Sequence, residues 1–148
     1  MKEQIVHRWI PYGSLTPIYI SLNELKHSSN ELQLTFKLID RHEDNFIESG
    51  IATFTFIAPF AVRYSSENDR LDLINAKHVD KESKEPIPEF PTWPLFKVEN
   101  SSLLQWKKEI SAVVEYDEKR LTCYGFTEVF YLIEILSVTE PEIKIVKE

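Results

Sequence analysis

The chain has 148 residues, 43% of them apolar and 28% charged, and carries a formal net charge of −7. That length and apolar content suit a single domain over residues 1–148, burying roughly 68–70% of the surface its unfolded chain exposes, and they exclude a disordered chain. The acidic balance opposes nonspecific nucleic-acid binding and docking on anionic lipid, both of which need a basic footprint, and it favours attraction to a basic partner.

The N-terminal "MKEQIVHRWIPYGS" lacks the apolar core of a signal peptide, and no apolar run approaches the ~20 residues of a membrane span. Cys123 stands alone, so no internal disulfide can form, which suits a reducing compartment. A cytoplasmic protein is expected.

Residues 4–12 read as a first strand stopped by Pro11, and residues 17–22 as a short second one. In 31–40, Leu32, Leu34, Phe36 and Leu38 alternate with Gln33, Thr35 and Lys37, the pattern of a half-exposed strand; the turn residues before it predict a hairpin with its predecessor. Residues 40–50 read as a polar connection. The run 51–64 is apolar on both faces up to Pro59, which predicts a central strand and then a bend. Residues 69–76 resume an alternation through Leu71 and Leu73, and 77–94, with four prolines and many charges, read as a long surface loop.

Residues 95–99 form the next expected strand, followed by a helix near 102–112. Asn100 or a neighbouring serine supplies its N-cap, Ser102 and Gln105 fit a capping box, and Leu103, Trp106, Ile110 and Val113 share one face. "LTCYGF" and "EVFYLIEIL" predict a second hairpin, with residues 141–146 as a last strand. The expected fold is α+β but mainly β, with roughly seven or eight mostly antiparallel strands in a curved sheet, sandwich or open barrel and one short helix.

Chemistry is sparse. Glycines at 13, 50 and 125 cannot build a phosphate loop or dinucleotide fingerprint, and no G-x-S-x-G elbow occurs. Cys123 falls within an apolar strand and reads as buried. "DRHED" gathers Asp40, His42, Glu43 and Asp44, but no histidine pair has zinc spacing, so it reads as a solvated turn, and neither metal nor cofactor is expected. In "RYSSENDR", Glu67 and Asp69 beside Arg63 and Arg70 read as an ion-pair cluster, with Arg63 and Tyr64 as the alternative anion- or partner-binding pair. Among the aromatics, Phe36, Phe54, Phe56 and Phe130 read as core. Phe90 and Trp93, in the proline loop, read as a packed lid or as interface anchors.

Three blocks, "FAVRYSSENDRL" (60–71), "WPLFKVENSSLLQW" (93–106) and "LTCYGFTEVFYLIEILSVTEPEI" (121–143), together resemble a group of small bacterial proteins, several of which are encoded beside polymorphic or contact-dependent toxins as immunity proteins. The family's aromatic-arginine pair and following acid match Arg63, Tyr64 and Glu67 with the first two reversed, and its Asn-Ser pair opening a helix matches Asn100 and Ser101. Where its last block has His-Tyr, this chain has Cys123-Tyr124, so no candidate catalytic histidine stands there. The resemblance implies a binding function and brings no catalytic residues.

The expectation is therefore a non-enzymatic protein-binding domain of immunity or antitoxin type, meeting a basic toxin domain through Trp93, Phe90, Glu82, Glu85 and Glu89, with Arg63 and Tyr64. The alternative is a small-molecule-binding or hydrolytic β-barrel-like domain in which Arg63 points inward near His7 or Tyr124. A third reading, assembly through an edge strand at 142–148, is opposed by Lys144 and Lys147, which protect such edges.

Overall fold

A computed structural model describes residues 2–11, 19–80, 94–110 and 120–147. Among them the chain forms β1 (Ile5–Arg8), β2 (Tyr19–His27), β3 (Glu31–His42), β4 (Asn45–Ile57), β5 (Ala61–Ser66), helix α1 (Leu71–Ile74), β6 (Lys77–Asp80), β7 (Leu95–Glu99), helix α2 (Ser102–Ile110), β8 (Thr122–Thr127), β9 (Tyr131–Ser137) and β10 (Glu142–Lys147). The mainly-β architecture is as expected. Ten strands replace the expected seven or eight, in a six-stranded sheet ordered β5-β9-β8-β7-β1-β6 and a four-stranded sheet ordered β10-β4-β3-β2. Among the pairings of these described strands, β1–β6 alone is parallel.

Alternation decides which faces meet. Leu32, Leu34, Phe36 and Leu38 of β3, with Ala52, Phe54 and Phe56 of β4, pack against Leu95, Tyr124, Phe126, Ile133 and Ile135 of the larger sheet. Phe126 sits at the centre, stacked on Phe36 at 5.2 Å and edge-on to Phe54 at 5.0 Å. Such pairs add about 0.5–1.5 kcal/mol each beyond area burial. The intervening residues of the same strands point the other way, where Val6, Phe96, Val98, Cys123, Leu132 and Leu136 form a second core with Leu73 of α1 and Leu103 of α2. The central strands of the six-stranded sheet are thus covered on both faces, which explains why β9, Glu134 apart, is apolar on both from Leu132 to Leu136.

Several expectations change. Residues 40–50 are not a connection: β3 and β4 run on through them to a tight turn at Glu43, whose φ is 57°. The "DRHED" stretch is the solvated tip of that hairpin, with His42, Glu43 and Asp44 exposed. Residues 69–76 are not a strand but a 3-10 turn (Glu67–Asp69) running into α1, where Leu73 is buried and Leu71 exposed instead of sharing one face. Lys77–Asp80, read as loop, pairs with β1. Pro59 does mark a bend, and the chain crosses there from the smaller sheet to the larger.

Helix α2 is capped by Ser101, whose Oγ accepts from the amides of Leu103 (3.1 Å) and Leu104 (3.4 Å), rather than by a Ser102–Gln105 box. Among the described residues of the expected stripe, Leu103 alone is buried. Trp106 and Ile110 are exposed, since the helix sets its Leu103–Leu104 side on the sheet. Val113 lies outside the described residues. Phe130 is not core but, among the described residues, the most exposed of the large apolar ones, because the β8–β9 turn falls at 128–130.

Candidate functional site

Of the residues singled out from sequence, Trp93, Phe90, Glu82, Glu85 and Glu89 lie outside the described residues. Arg63 and Tyr64 are adjacent on β5, so their side chains leave the sheet on opposite faces. Arg63 turns toward the helices. It donates from Nε to Glu134 Oε1 (2.8 Å) and from Nη2 to Glu134 Oε2 (3.0 Å) and Ser102 Oγ (2.8 Å).

Glu134, directly across from Arg63 in the β5–β9 register, is fully buried and also accepts from Arg70. Arg70 grips Asp72 through two bonds of 3.0 Å, Asp72 accepts from Gln4 (2.9 Å), and Gln4 Oε1 accepts from the amide of Ser102 (2.9 Å). The chain of contacts closes on itself, tying β1, β5, β9, α1 and α2 together. Burial pushes the Asp72 carboxyl up, but hydrogen bonds from Arg70 and Gln4 and the guanidinium charges outweigh it and hold the pKa at about 2. Two carboxylates face two guanidiniums, so the ring is neutral. Its chemistry is that of a structural clamp.

The expected cluster of Arg63 and Arg70 with Glu67 and Asp69 is therefore built on other acids, Glu134 and Asp72. Cys123 lies beside Glu134, and burial together with that carboxylate pushes its thiol up to about 12, which leaves a neutral, unreactive sulfur. His7 reaches Glu99 (3.4 Å) on the surface, and Tyr124 belongs to the core between the sheets. The structure does not bring Arg63, His7 and Tyr124 to one cavity.

Tyr64 faces outward, half-exposed, and stacks on Tyr131 of β9 with ring centroids 4.7 Å apart and planes 23° apart. β5 lies beyond the reach of the smaller sheet, so Val62, on the same side, is exposed as well, and the β8–β9 turn adds Val129 and Phe130. Burial raises the Tyr64 phenol, assisted by Tyr131 and by the Glu128 charge.

Glu128 fixes this corner of the molecule. Its Oε1 accepts from the Phe130 amide (3.1 Å) within the turn, and its Oε2 from the Leu22 amide (3.0 Å) of β2. There β2 carries a bulge between Leu22 and Glu24, and Ile20 forms a parallel bridge with Glu128, joining the two sheets. Beside this joint opens a cleft of about 580 Å³, whose walls include Tyr19, Ile20, Ile39, Phe46, Pro94 and Val129. Tyr19 and Phe46 meet edge-to-face at 5.5 Å. Glu67, Thr127 and Glu128 supply its polar groups, and burial raises the Glu67 carboxyl.

Sequence reasoning named Tyr64 but missed its partner Tyr131, because "EVFYLIEIL" holds no Gly, Pro or Asn to announce the turn that exposes it. Phe46 was missed because residues 40–50 resemble loop. Among the described residues, no cluster of three His, Cys, Asp or Glu is placed to hold a metal ion, and no helix is long and apolar enough to cross a membrane. Comparison with protein-family models, with curated proteins and with solved structures finds no match.

Proposed function

We propose that this chain is a non-enzymatic protein-binding domain, of immunity or antitoxin type and acting in the cytoplasm, that holds a basic partner. The observation that carries the reading is the exposed Tyr64–Tyr131 stack, flanked by Val62 and Phe130. Water-exposed aromatic pairs of this kind are unfavourable on an isolated surface, and tyrosines dominate the energetic centres of interfaces. The net charge of −7 would steer a basic partner toward the protein. Arg63, committed to Glu134, is not a contact in this reading. The acidic loop residues Glu82, Glu85 and Glu89, with Phe90 and Trp93, remain proposed contributors.

The test is to immobilise wild-type protein and the Tyr64→Ala/Tyr131→Ala variant side by side and pass a low-salt lysate of the source organism over both. A single basic protein retained in stoichiometric amount by wild type, but not by the variant, supports the reading. Equal retention by both, or none by either, counts against it.

A further inference from the structure

The cleft beside the sheet joint carries features that the protein-binding reading does not use. Glu128 is 8% exposed, and its carboxylate is met by two neutral backbone amides with no cation beside it among the described residues. A buried carboxylate is normally paired with a positive group. Each of its oxygens accepts one N–H, so lone pairs remain unused. Thr127, next along the wall, is 7% exposed, and its hydroxyl oxygen is buried with no hydrogen-bond partner among the described residues. Buried hydroxyls left this way are rare and call for a missing partner.

The remaining lining is apolar and aromatic, and among the described residues no Lys, Arg or His contributes to it. The volume of about 580 Å³ is that of a small-molecule site. A cation is the ligand that these walls favour. It would supply donors to Glu67 and Glu128 and lie against the rings of Tyr19 and Phe46, whose faces attract positive charge. Ile20, Ile39 and Pro94 would cover an apolar body.

We propose that this cleft binds a small organic cation, an ammonium group carried on an aromatic or apolar skeleton. The cost of keeping the Glu67 carboxylate charged while buried, which raises its pKa, is offset by such a cation. The site stands independently of any protein partner on the tyrosine face.

Phenethylamine is a suitable probe, with phenylacetate as its anionic counterpart. Two-dimensional NMR at pH 7 should show saturable shifts of the Ile20, Ile39, Thr127 and Val129 resonances with phenethylamine, at a Kd of about 1 mM or tighter, and none with phenylacetate. Glu67→Gln should weaken the amine about fivefold or more, as should Thr127→Val, with unchanged Leu34 and Phe36 resonances certifying the fold. The inference is overturned if phenethylamine gives no saturable shift, if phenylacetate binds equally well, or if neither variant changes the Kd.

Discussion

Glu134→Gln tests how much of the fold hangs on the buried clamp. The substitution keeps shape but removes the one charge that both Arg63 and Arg70 address from the fully buried centre of β9. Removing one member of a buried ion pair costs about 3–5 kcal/mol, because the partner is left charged and unpaired. Two features pull the value to the low end. Arg70, 8% exposed, keeps its two bonds to Asp72, and Arg63, 30% exposed, can rehydrate. We expect a loss of about 3 kcal/mol and, at about 2–4 °C per kcal/mol for a chain of this size, a fall in Tm of about 6–12 °C. Arg63→Gln, which leaves Glu134 paired with Arg70, should cost only about 1–2 kcal/mol. Urea unfolding followed by tryptophan fluorescence reads both, with Trp9 packed on Phe54, Tyr124 and Phe126 as reporter. A loss below about 1 kcal/mol for Glu134→Gln, or a larger loss for Arg63→Gln, would mean that Glu134 is not the charge on which the two guanidiniums depend.

Three further outcomes follow from the same contacts. Gly125→Ala should cost about 2–3 kcal/mol, since its Cβ would lie 2.0 Å from Cε2 of the buried Phe96 ring; a neutral result in the same urea assay would show that the ring can yield. Asp72, ordinarily at 3.8 and held here at about 2, favours the folded state above pH ~4, and that contribution disappears as pH falls toward 2 because the unfolded chain takes up the proton first. The full span is about 2.4 kcal/mol, discounted to about 1 kcal/mol for a side chain 40% exposed. Asp72→Asn should therefore flatten the acid limb of stability between pH 4 and 2, and an unchanged limb would exclude the role given to it. Cys123, with its thiol pushed up to about 12, should be alkylated by iodoacetamide at pH 8 about a thousandfold more slowly in native than in urea-unfolded protein; comparable rates would mean the second core opens readily.

Much of the fold was legible because its signals are local. The Leu32–Leu38 alternation, the hairpin it forms with β2, the β8–β9 hairpin and the start of α2 all appear where the residue pattern places them. What escaped was non-local. Glu134 in "YLIEILS" is intelligible only once Arg63, 71 residues away, lies across from it. β6 becomes a strand because β1 offers a parallel edge, against a composition that reads as loop. The site was half visible: Tyr64 was named from sequence, but its exposure depends on β5 overhanging the smaller sheet, a consequence of sheet width that no residue type announces. The cleft arises from a side chain, Glu128, bonding to a strand more than a hundred residues away.

The Tyr64–Tyr131 face is proposed to bind a basic protein. The most direct measurement is a calorimetric titration of the partner recovered by capture into wild type and Tyr64→Ala/Tyr131→Ala, each at low and high salt. Affinity should fall at least about tenfold in the variant, and the wild-type complex should weaken as salt rises. Equal affinity for both proteins, indifferent to salt, would contradict it.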